Sequence, residues 1–238
     1  MSLCHPDKGN VSCGACCGLF NLELDANGYK NLLQSRTDEF QSNVNFAIRH
    51  TFPAFRQSRE KIESSIRKKD EMTYNCPFLG YVNRDGKKIG CMIHPIFTGD
   101  PKSQNFSFYG ASICQAYDCK NKEHELALIW EDMFVKVSED SVQFSHLAAD
   151  HILIYAIERW IGFKNRSMEE GISIFEDLIL SLFRLRLKQI PNHNPTSFEV
   201  RYDSFPEEES VYVFLRERLG GNFSDLEEEM KKAPERIV

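Results

Sequence analysis

The sequence predicts an α+β fold, in which an irregular cysteine-rich metal-binding N-terminal half packs on a mainly helical C-terminal half. Three observations predict it. All eight cysteines fall within the first 119 of 238 residues. The same half is broken by glycine, proline and short alternating runs, which signal turns and short strands. Beyond residue 121 the cysteines stop and apolar residues recur at helical spacing. The expected division is a cysteine-cluster metal-binding region over 1–120 and a helical region over 121–238, packed together as one unit. A small irregular segment buries little apolar area, so ligated metal and the helical half would both be needed to hold it.

Taken in chain order, residues 1–20 read as a turn-rich loop with Gly9, Gly14 and Gly18. Apolar and acidic residues alternate from Phe20 to Leu24, as in a short strand, and Asp25-Ala26-Asn27-Gly28 reads as a turn. Residues 38–70 read as helical, with an interruption at Thr51-Phe52-Pro53. Residues 73–119 read as non-helical. Within them Asn83-Arg84-Asp85-Gly86 predicts a hairpin turn between Phe78–Val82 and Lys88–Cys91. In the second half, Ser145–Gly162 carries Leu147, Ile154, Ile157 and Ile161 at helical spacing. Ser167-Met168-Glu169-Glu170 has capping-box spacing before a helix carrying Phe175, Leu178, Ile179, Leu182 and Phe183. Pro191 is expected to stop that helix, with a loop over Asn192–Ser197. Ser210–Leu219 reads as a helix ended by Gly220-Gly221, and Ser224 starts one more.

A net charge of −6 and a pI near 5.7 give no reason to expect nucleic acid as a partner. The first residues lack a signal-peptide core, and no run of 18 or more apolar residues occurs, so no membrane partner and a cytoplasmic location are expected. No Gly-x-Gly-x-x-Gly, P-loop or His-Glu-x-x-His motif is present. The protein partner or small-molecule substrate is not specified by any motif.

The chemistry therefore rests on the cysteines. Cys13-x2-Cys16, with Cys17 adjacent, has a spacing used for tetrahedral zinc and for iron–sulfur clusters. Cys4 precedes it; Cys76, Cys91 and the pair Cys114-x4-Cys119 follow. Each local group is too small for a complete site, so the groups are expected to converge on one region. Eight thiols suffice for two four-cysteine sites, or for one site with spare thiols. His5 and His94 are further candidate ligands. Structural disulfides are disfavoured in a reducing compartment. A redox dithiol at Cys13-x2-Cys16 is chemically open, though no strand–helix unit of the thioredoxin type precedes it.

Five elements in order resemble the putative zinc- or iron-chelating cysteine-cluster domain family of the YkgJ type, often labelled Fe–S oxidoreductase. They are Cys4, Cys13-Gly14-Ala15-Cys16-Cys17, Cys76-Pro77-Phe78-Leu79, Cys91-Met92-Ile93-His94 and Cys114-Gln115-Ala116-Tyr117-Asp118-Cys119. The resemblance covers residues 4–119. Asn10 stands where the family usually has a cysteine, and Cys4 is the expected replacement. The family's Arg-Pro before the closing pair is absent. The resemblance implies a metal site drawn from Cys4, Cys13, Cys16, Cys17, Cys76, Cys91, Cys114 and Cys119, holding an iron–sulfur cluster or zinc. Two function classes follow: a redox-active metal protein or electron carrier, and a structural zinc protein acting as a binding module or metal handler.

Overall fold

The protein is described here from a computed structural model, over residues 3–6, 9–83, 85–116, 119–190 and 205–235. Its described residues are mainly helical, and this corrects the α+β expectation. The strand content named among them is one antiparallel ribbon, β1 (Leu79–Tyr81) and β2 (Ile89–Cys91), paired Leu79 to Cys91 and Tyr81 to Ile89. The N-terminal half itself carries α-helices. It holds α1 (Ala26–Asn43) and α2 (Thr51–Glu63), then the short α3 (Pro95–Thr98) and α4 (Gly110–Ala116).

The start of α1 explains the largest departure from expectation. Asp25-Ala26-Asn27-Gly28 is the first turn of a helix: the Asp25 carboxylate accepts a 2.6 Å hydrogen bond from the Gly28 backbone N–H. Tyr29, Leu32, Leu33, Arg36 and Phe40 then form one buried face at i, i+3 and i+4 spacing. The run Phe20–Leu24 forms a single bridge, Leu22 to Lys68, after a 3-10 turn.

The C-terminal half contains α5 (Ala127–Val137), α6 (Ser141–Ala149), α7 (His151–Phe163), α8 (Met168–Ile174), α9 (Glu176–Leu187), α10 (Glu208–Leu219) and α11 (Ser224–Lys232). Ser167 caps α8 by accepting from the Glu170 N–H. Pro191 and the loop 192–197 lie outside the described residues. The predicted helix over 145–162 is two helices, because Asp150 ends α6 and its carboxylate caps α7 through Leu153 N–H. Asp150 is buried with the guanidiniums of Arg186 at 2.7 Å and Arg218 at 3.0 Å. Burial alone would raise its pKa; the two arginines outweigh that and hold it well below the ordinary carboxylate value.

Three apolar cores result. The largest gathers Trp130, Phe134, Trp160, Phe183 and Leu215 from the C-terminal helices. A second joins Leu19, Phe20, Tyr29, Leu33, Leu79 and Ile89 to Val142 and Ala149 of α6. The third holds Phe40, Phe52, Phe55, Phe78 and Ile93. Helix α6 serves the first two cores, since Phe144 and Leu147 belong to the large one. Cys13 packs against the first and second cores, and Cys17 against the second and third.

Candidate functional site: a cysteine-lined cavity

The loop carrying Cys13, Cys16 and Cys17 is held from two sides. On one side stand two serines one turn apart on α6. Ser141 Oγ accepts from Ser12 N–H at 3.0 Å, and Ser145 Oγ accepts from Gly14 N–H at 2.9 Å. Ser141 Oγ also donates to the Lys87 carbonyl at 2.6 Å, and Ser12 Oγ donates to the Ile89 carbonyl at 2.6 Å. These bonds tie the loop to α6 and to the ribbon together. On the other side the chain returns at residues 74–76. There the Cys76 N–H donates to the Cys17 carbonyl at 2.9 Å, and Asn75 donates to the Gly18 carbonyl.

Cys76 is fixed by a buried charge network. Arg36 donates to the Cys76 carbonyl at 3.0 Å while its other nitrogens grip both oxygens of Glu63. Arg59 joins Glu63 and Glu39 to the same network. An arginine buried between α1 and α2 is stable there because its donors are satisfied by carboxylate and carbonyl oxygens.

Seven of the eight cysteines line one cavity of about 350 Å³: Cys4, Cys13, Cys16, Cys17, Cys76, Cys91 and Cys114. The cavity's described lining also includes His5 and His94, with Leu79, Gln104, Tyr109 and Ile113. Cys119 is not among these lining residues, although it stands near enough to Cys13 to influence its ionisation. Cys76 is buried in the floor, whereas Cys16 is exposed, as are His5, His94 and Ile113. The aromatic run 106–109 divides its work. Phe106 stacks on Phe52 in the third core, Phe108 is exposed, and Tyr109 faces the cavity with its hydroxyl donating to the Tyr74 carbonyl.

The sulfurs are not equivalent. The neighbouring thiols of Cys16 and Cys76, together with burial, hold the Cys17 pKa well up. The Cys17 thiol in turn lowers the pKa of Cys16 and of Cys76 against the opposing effect of burial. Burial pushes Cys91 up to about 12. It also raises Cys13, with the neighbouring Cys4 and Cys16 adding to the effect, and it raises Cys114 although Ser107 is bonded to that sulfur. The His5 pKa is lowered, first by burial and then by His94 and Lys88.

The donor geometry overturns the metal expectation. Among the described residues no group of three or more His, Cys, Asp or Glu side chains is arranged to hold a metal ion. The sulfurs are dispersed around the wall of a cavity instead of gathered on one point. A zinc ion needs its four donors within about 2.3 Å of a single centre, and sulfurs on one ion stand roughly 3.8 Å apart. The iron–sulfur cluster and the zinc ion are both corrected on this ground, and with them the redox-metal reading, the structural-zinc reading and the picture of a metal-held N-terminal half. The same finding removes what tied the chain to the chelating family, whose motif elements are present in order without a chelating group. None of the eight cysteines is in a disulfide. Sequence reasoning missed Arg36, Ser141 and Ser145 as positioning residues; the signal for the serines was their spacing of one helical turn.

Among the described residues no helix is long and apolar enough to cross a membrane. No family model matches the chain, and no curated protein or solved structure is significantly similar to it.

Proposed function

We propose that the cavity is a thiol–disulfide exchange site, with Cys16 as the entry thiol and Cys17 with Cys76 as the pair that ends oxidised. The observation that carries this reading is the juxtaposition of Cys17 and Cys76. Their backbones are joined by a 2.9 Å hydrogen bond, and each thiol shifts the ionisation of the other. That bond sets the segments of Cys17 and Cys76 side by side, and both side chains line the same cavity.

The exchange balances without a further reactant. The Cys16 thiolate attacks one sulfur of a substrate disulfide, forms a mixed disulfide and expels the first substrate thiolate. Cys17 attacks Cys16 Sγ and expels the second. Cys76 then attacks Cys17 Sγ, which returns Cys16 to the thiolate and leaves the Cys17–Cys76 disulfide. Two electrons pass to the substrate, and the protons lost by Cys17 and Cys76 are taken up by the two released thiolates. The substrate class is a disulfide. The reading also places the protein in the cytoplasm, where the resting cysteines stay reduced, with neither membrane nor nucleic acid as partner.

The test treats the reduced protein with bis(2-hydroxyethyl) disulfide and follows thiol loss and linkage by peptide mapping. Loss of two thiols per chain as Cys17–Cys76 is expected, slowed about tenfold or more in Cys16→Ser. Thiol loss no faster than in the urea-unfolded chain would sink the reading.

A further inference from the structure

The geometry points to a second redox pair in the same cavity, Cys4 with Cys13, that exchanges electrons with Cys17 and Cys76 through Cys16. This rests on the exchange reading above and extends it to a relay. Two independent observations support it. First, Cys4 and Cys13 repeat the backbone relation of Cys17 and Cys76: the Cys13 N–H donates to the Cys4 carbonyl at 2.9 Å. That bond sets the two segments side by side, and Cys4 stands near enough to Cys13 to raise its pKa. Second, both line the cavity that Cys16 and Cys17 line, and both are half-buried where Cys16 is exposed. Cys16 therefore stands between the two pairs in the chain. It is three residues from Cys13, across the tight turn in which the Cys17 N–H donates to the Gly14 carbonyl, and it is adjacent to Cys17.

The relay is a series of exchanges that keeps one disulfide throughout. Starting from Cys17–Cys76, Cys16 attacks Cys17 and frees Cys76. Cys13 attacks Cys16 and frees Cys17. Cys4 attacks Cys13 and frees Cys16. The protons given up by Cys4 and Cys13 are taken up by Cys17 and Cys76, and two electrons have moved with them. The site is then reset for a second substrate disulfide, with the first oxidising equivalent stored as Cys4–Cys13. The full chain can thus take up two equivalents before it is regenerated by an external dithiol.

The experiment uses the full reduced chain and two equivalents of bis(2-hydroxyethyl) disulfide, followed by alkylation and peptide mapping with time. The expected result is loss of four thiols per chain, as Cys17–Cys76 and Cys4–Cys13. In Cys4→Ser uptake should stop at two thiols, and in Cys16→Ser the Cys4–Cys13 linkage should form at least about tenfold more slowly, because no thiolate then connects the two pairs. Circular dichroism melting checks that both variants fold, and the wild-type linkage map is decisive even if one does not. Linkage of Cys13 to Cys119, or a Cys4–Cys13 bond that forms as fast without Cys16, would overturn the relay. A wild-type chain that forms Cys17–Cys76 and stops there would refute the second pair alone. A chain that forms neither would refute the exchange reading itself.

Discussion

At the scale of single residues, the site depends on how neighbouring thiols shift one another's ionisation. The Cys17 thiol lowers the pKa of Cys16 and of Cys76 while its own stays high. Of the two residues with lowered thiols only Cys16 is exposed, although burial still acts on its sulfur, so Cys16 is the one a small reagent reaches through the cavity. A lowered thiol pKa means that thiolate persists at pH values where an ordinary cysteine, with a pKa near 8.5, is already protonated. Short iodoacetamide pulses between about pH 6 and 9, read by mass spectrometry, should therefore label Cys16 first. Its rate should still be high just below pH 8.5 and fall only at lower pH. In Cys17→Ala the profile should return to that of an ordinary thiol. A wild-type Cys16 that titrates like a free cysteine would contradict the influence of Cys17 on it. The sequence led to the expectation that the cysteine groups converge on one metal site; seven cysteines line one cavity, but among the described residues no group of three is arranged to hold an ion. What spacing could not supply was the distance between sulfurs, and the metal reading failed there. Arg36 was equally hidden, because a buried arginine on α1 and a solvated one look alike until the partner carboxylate of Glu63 is placed.

At the scale of elements, the site is a seam between the loop over residues 13–18 and the returning chain at 74–76. Gly18 sets how closely they meet. It sits at φ +77°, and a Cβ there would collide with the Tyr74 carbonyl oxygen. A side chain would be strained in this left-handed conformation and would also push the two segments apart. Gly18→Ala is expected to cost about 2 kcal/mol, a drop in Tm of roughly 4–8 °C for a chain of this size. It should also slow formation of the Cys17–Cys76 disulfide, because the backbone bond that aligns the pair would lengthen. Thermal melts and thiol-loss kinetics on the same sample check both effects, and an unchanged rate would separate Gly18 from the site. The helices of the second half were legible because their apolar residues repeat at helical spacing and their caps, such as Ser167, are local. Helix α1 was not read, because Asp25-Ala26-Asn27-Gly28 suits a turn and a capped first helical turn equally well. The packing face that decides between them begins only at Tyr29.

At the scale of the whole molecule, the cavity is held by apolar packing and hydrogen bonds. Cys13 and Cys17 each pack against two of the three cores, and α6 reaches the cysteine loop through Ser141 and Ser145. The large core stands on residues from the C-terminal helices, with the Asp150–Arg186–Arg218 cluster buried beside it. The proposed exchange needs this packing to persist while a disulfide opens and closes. The central claim is that Cys17 and Cys76 form a reversible redox couple in that frame. The direct measurement is a redox titration of the full chain in a dithiothreitol series with chelator present, with each thiol quantified by alkylation and mass spectrometry. The account predicts that Cys17 and Cys76 lose their thiols together in one two-electron transition, reversibly, with unchanged far-ultraviolet circular dichroism. Independent titration of the two cysteines, or stoichiometric zinc or iron retained through the chelator by a protein whose thiols then resist oxidation, would contradict it.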